Sequence, residues 1–119
     1  MHSTKKRNSG DSGVIARVPP PAVQRVAAQA LKWRRQYRRG GTEVGVARAR
    51  DLANGRVLSP RTQARMRAYF ARHAVDLIAQ GAHRGEPGYP STGRIAWDLW
   101  GGDAAFRWLQ RIGHHSRSS

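Results

Sequence analysis

At 119 residues, with 39% hydrophobic side chains, the chain can bury one modest core and form one domain. Its 22 lysines and arginines, 19 of them arginine, face 7 acids, and the self-repulsion of a formal charge of +15 calls for a polyanionic partner. The absence of cysteine excludes disulfides, thiolate zinc sites and cysteine nucleophiles, and no apolar run approaches membrane-spanning length, so a soluble chain with no membrane partner is expected.

The first 18 residues are polar, basic and rich in glycine and serine, a composition expected to form a disordered tail whose Lys5, Lys6 and Arg7 can still touch phosphate. A positive run without an apolar core behind it is not a signal peptide. Pro19, Pro20 and Pro21 stiffen the entry to a helix predicted to reach about Arg38, with Val23, Val26, Ala30, Trp33 and Tyr37 on its apolar side. Arg25, Lys32 and Arg39 recur a heptad apart on the opposite side, and Gly40-Gly41 is expected to end the helix.

The centre of the chain, from Thr42 to His73, reads as a helix-turn-helix-like pair. Thr42 can cap the first helix and Asn54-Gly55 can supply the left-handed residue that ends it. Ser59-Pro60 restarts the chain as an N-cap followed by proline, where no donor is lost. Val46, Ala49, Leu52 and Ala53 share one face of the first helix; Met66, Phe70, His73 and Leu77 share one face of the second, which is expected to run to about Gln80. Arg61, Arg65 and Arg72 lie on its other side, the chemistry of a helix that sits on nucleic acid.

Three glycines and two prolines make residues 81 to 90 a loop. Ser91 caps the next helix, and Arg94, in its first turn, opposes the helix dipole and so invites Asp98 at i+4 or a phosphate. Asp103 can cap a last helix carrying Phe106, Leu109 and Ile112 before Gly113, with 114–119 as a frayed tail. Trp97, Trp100 and Trp108 crowd this segment; helical register favours a core role over stacking on unpaired bases. With no alternating pattern, the expected fold is all-α, a compact bundle of about five helices over residues 19–113 with flexible termini.

Charge is uneven. Residues 17 to 72 carry 14 arginines and lysines against 2 acids, whereas residues 73 to 119 carry 5 against 4, so the binding face is expected on the first three helices. The candidate contact set is Arg25, Lys32, Arg35, Arg39, Arg48, Arg56, Arg61, Arg65 and Arg72. The acids are scattered and no nucleophile elbow, phosphate loop or metal-ligand spacing occurs; His83 near Glu86 is too sparse a pair for a metal, so neither enzyme activity nor a cofactor is expected.

The strings RRGGTEVGVARARDLANG (38–55), SPRTQARMRAYFARHAVD (59–76) and GYPSTGRIAWDLWGGDAA (88–105) resemble a small domain that recurs in bacteriophage and prophage proteins, alone or attached to larger phage polypeptides. The resemblance covers about residues 20 to 110. Where such domains carry strings like PSAGRIAW and GGDAG, this chain has the small replacements Thr92 and Ala105. The domain has no characterised activity, so the resemblance implies a phage context and supplies no catalytic residues. Residues and resemblance together lead to an expected nucleic-acid-binding protein, with DNA ahead of RNA, in the host cytoplasm or the virion interior. The alternative is a structural or assembly protein of a phage head, whose basic surface faces packaged DNA or an acidic head protein.

Overall fold

The computed structural model describes residues 17–118, with side chains described through Gly113, so the expected basic tail lies almost wholly outside the described residues. The fold is all-α. Among the described residues five helices follow one another: α1 (Pro21–Tyr37), α2 (Glu43–Ala53), α3 (Pro60–His73), α4 (Thr92–Leu99) and α5 (Gly102–Ser118), with a 3-10 turn over Ala74–Leu77.

Local chemistry explains most of the boundaries. Thr42 Oγ1 accepts from the Gly45 amide at 3.3 Å, Ser59 Oγ from the Thr62 amide at 3.1 Å and Ser91 Oγ from the Arg94 amide at 3.0 Å, so α2, α3 and α4 each start on a side-chain cap. Gly55, at φ +69°, closes the end of α2. Three boundaries depart from expectation. The α-helix of α3 ends at His73 and tightens into the 3-10 turn, in which Asp76 lies 3.2 Å from His73 Nδ1 and against Gly93, where an added Cβ would stand 2.8 Å from that of Asp76. Asp103 does not cap α5 but accepts from the Trp97 indole at 2.9 Å. Gly113 does not stop α5, whose backbone carries on to Ser118, since one helical glycine costs only about 1 kcal/mol.

The core takes Val23, Ala27 and Ala30 from α1, Val46, Ala49 and Leu52 from α2, Met66, Tyr69 and Phe70 from α3, Trp97 and Leu99 from α4, and Ala105, Trp108 and Leu109 from α5. α4 sits at the middle, packed on α1, α2, the 3-10 turn and α5. It carries a charged pair into the interior. Arg94 Nη1 lies 3.1 Å from Asp98 Oδ1 and 3.8 Å from Asp103, while its Nε donates to the Ala82 carbonyl at 2.7 Å. Of the two partners expected for Arg94, the structure supplies the carboxylate.

Burial pushes the Asp98 carboxyl from 3.8 up to about 6, against the pull of Arg94. The folded chain therefore holds this proton more tightly than the unfolded chain. Its contribution to stability is complete below about 3.8 and is lost as pH rises through about 6.

Two outcomes follow. Asp98→Asn mimics the neutral carboxyl, so denaturant titrations should show wild type losing stability relative to Asp98→Asn between pH 4 and 7.5, by about 3 kcal/mol at most. Gly101 has φ +100° and a Cβ there would collide with Ala105, whereas Gly85 has φ +93° and open space around it. Gly101→Ala should thus destabilise by about 2 kcal/mol or more and Gly85→Ala by about 1 kcal/mol, read from the same titrations.

Candidate nucleic-acid interface

Two pairs of arginines, Arg34-Arg35 and Arg38-Arg39, stand one turn apart where α1 ends. Helix α1 finishes at Tyr37, and Arg38, rather than a glycine, takes the left-handed position at φ +54°, with its amide donating to the Arg34 carbonyl at 2.8 Å. That conformation costs a non-glycine residue roughly 1–2 kcal/mol. Gly40 and Gly41 then back the chain against α4 so closely that a Cβ would strike Ile95 from Gly40 and Leu99 from Gly41. The resulting corner holds a concavity of about 480 Å³ lined by Arg34, Arg35, Arg38, Arg39 and the two glycines.

Two of these arginines brace the corner. Arg34 Nε donates to the Gly40 carbonyl at 2.9 Å, and Arg39 Nη2 donates to the Pro90 carbonyl at 2.9 Å with its guanidinium 5.4 Å from the Tyr37 ring centroid. The other two are free to act. Arg35 and Arg38 are exposed and, among the described residues, neither is in an ion pair. Guanidiniums converging on a concavity match phosphate oxygens in bidentate geometry.

The remaining candidates separate into groups. Arg25 and Lys32 are exposed along α1, and Arg61, Arg65 and Arg72 are exposed along α3. Arg48 and Arg56 share Asp51, at 3.2 Å and 3.5 Å, so both are tied to the end of α2. Helices α2 and α3 make little direct contact: α2 lies on α1 and α4, and α3 lies on α5 and the 3-10 turn. In the connection between them, 54–59, the Leu58 amide donates to the Arg17 carbonyl at 3.0 Å and the Leu58 side chain is buried. Helix α3 buries Met66, Tyr69 and Phe70 in the shared core and keeps Arg61, Arg65 and Arg72 outward, with only slight contact to α2. Sequence reasoning passed over Arg34 and Arg38, although the doubled arginines ahead of Gly-Gly were a readable signal.

The acids from Glu43 onward serve structural partners. Glu43 lies 3.9 Å from Arg34, Asp51 holds Arg48 and Arg56, Asp76 bonds His73, and Asp98 and Asp103 surround Arg94. Glu86 accepts from the His83 amide at 3.0 Å and the Gly81 amide at 2.9 Å, bonds that hold its carboxyl below the ordinary range. His83, considered with Glu86 for a metal, donates Nε2 to the Leu77 carbonyl at 2.9 Å. Among the described residues no helix is long and apolar enough to cross a membrane.

Comparison with known proteins brings no match among family models, curated proteins or solved structures. The function is read from the chain's own residues.

Arg38→Gly relieves the strained backbone and removes one exposed cation. It should raise stability by roughly 0.5–1 kcal/mol in thermal or denaturant unfolding while weakening oligonucleotide binding in the same preparation.

Proposed function

We propose that this chain is a non-enzymatic nucleic-acid-binding protein of phage origin, which holds the sugar–phosphate backbone on the arginines of the α1–α2 corner and along the outer side of α3. The observation that carries the reading is Arg38: an unpaired, exposed arginine kept at a left-handed position that favours glycine, beside Arg35 and above a concavity of phosphate-binding chemistry. Strain of this kind persists where the side chain is needed.

Further support comes from the employment of the acids: among the described residues Glu43, Asp51, Asp76, Asp98 and Asp103 each lie against an arginine or histidine, which leaves the exposed face of α1 and α3 as cation alone. Phosphate contact is favoured over base reading, because α3 lacks the packed partner helix that sets a recognition helix in the major groove. DNA stands ahead of RNA as the partner, in the host cytoplasm or the virion interior.

The reading is tested by the salt dependence of binding to unrelated DNA sequences. The observed association constant should fall linearly on a log–log plot against salt, with little difference among sequences, and each of Arg35→Ala, Arg38→Ala and Arg65→Ala should lower the slope by about 1. Binding that is absent, or that keeps its slope in all three variants, would leave a role toward an acidic head protein as the better account.

A further inference from the structure

The arginine concavity does not end at Gly41. That residue also lines a second crevice of about 450 Å³, a volume within the roughly 300–1,000 Å³ range of small-ligand sites. The start of α2 contributes Thr42 and Val44, α3 contributes Tyr69 and His73, the 3-10 turn contributes Asp76, and α4 contributes Thr92, Gly93, Ala96 and Trp100.

Three rings are layered in its wall. Trp100 stacks on Tyr69 with centroids 4.6 Å apart and planes 8° from parallel, and Tyr69 stacks on His73 at 4.4 Å and 26°. Trp97 and Trp108 are buried in the core, so Trp100 is the tryptophan of this segment that reaches a surface crevice. Tyr69 is only 9% exposed, and its hydroxyl is buried with no hydrogen-bond partner. A buried donor left unmade costs about 1–3 kcal/mol, which a phenylalanine would avoid. Burial, together with the negative charges of Asp76 and Asp98, pushes the Tyr69 hydroxyl well above its ordinary value, so it remains a donor.

The chemistry of the wall selects the occupant. The Asp76 carboxylate repels a phosphate and accepts from amino groups, and the ring edges and Val44 supply apolar surface. A planar group with donors on its edge suits this crevice, and an anion suits the arginine side of Gly41. A nucleotide presents these two parts in one unit.

We propose that the second crevice receives one unpaired base of a single nucleic-acid strand whose adjoining phosphate lies on Arg35 and Arg38. This rests on the phosphate-binding reading above and specifies its substrate as single-stranded. A base paired and stacked in a duplex is not free to enter.

Fluorescence anisotropy at about 0.1 M salt compares three labelled oligonucleotides of equal length: a base-bearing single strand, an abasic single strand and a duplex. The base-bearing strand should bind roughly tenfold tighter than the abasic one, from burial of the base in the crevice and its bonds to Asp76. Ala96→Leu, which fills the crevice, should remove that advantage and leave abasic binding unchanged, while Arg35→Ala weakens both strands alike. Val44→Phe alters an exposed rim residue and should repeat the block, so the result does not depend on how well Ala96→Leu folds. Equal binding of base-bearing and abasic strands, a preference that survives both blocking variants, or duplex binding as tight as single-strand binding would overturn the inference and leave the phosphate reading standing. Failure to bind any of the three would overturn both.

Discussion

The structure depends on how Arg94 is accommodated. A guanidinium in the first turn of a helix faces the positive end of the dipole and, once buried, must be paired or the fold loses several kcal/mol. Asp98 one turn on, Asp103 at the start of α5 and the Ala82 carbonyl together surround it, and each belongs to a different part of the chain. Trp97 donates to the same Asp103 carboxylate, which sets the indole in the core beside Phe70 and Tyr69. The pair does more to specify one arrangement than to stabilise it, since burial of both charges offsets most of their attraction. That balance is visible in the raised Asp98 carboxyl.

With α4 held in this way, the remaining geometry follows. Its outer side becomes the surface against which Gly40 and Gly41 close, so the end of α1 turns into α2 directly over Ile95 and Leu99. Its Ala96 and Trp100 form part of the crevice beside that corner, and its Gly93 admits the 3-10 turn that brings Asp76 to the rim. Candidate binding features and folding constraints thus share one short helix. The loop before α4 is tied in by edge-to-face contact of Tyr89 with Trp33 and by the Arg39 bond to the Pro90 carbonyl, so no carboxylate is needed to hold this loop to the basic corner.

Arginine serves three distinct purposes in one small chain. Arg94 is a core residue; Arg34, Arg39, Arg48 and Arg67 brace carbonyls or carboxylates, the last donating to the Leu109 carbonyl at 3.1 Å. Arg25, Arg35, Arg38, Arg61, Arg65 and Arg72 stand exposed. A formal charge of +15 therefore overstates the structural arginines as binding residues and still leaves a large unpaired positive surface.

The sequence by itself determined the five helices and the starts of α2, α3 and α4, because capping and apolar periodicity are local: Thr42, Ser59 and Ser91 sit where they cap, Gly55 turns where it was expected, and Val46, Ala49, Leu52, Met66 and Phe70 are buried on the predicted faces. The Arg94–Asp98 pair was legible for the same reason, being one turn apart on one helix. What the sequence did not disclose depends on residues far apart in the chain. Leu58 is bonded back to Arg17 while α3 packs on α5; Asp76, in the turn that follows α3, lies against Gly93; and Arg48 and Arg56 are drawn to one shared carboxylate. The crevice beside the arginine corner was equally illegible, since its wall joins Thr42, Tyr69 and Trp100 from three helices, and only their tertiary packing brings those rings into one stack.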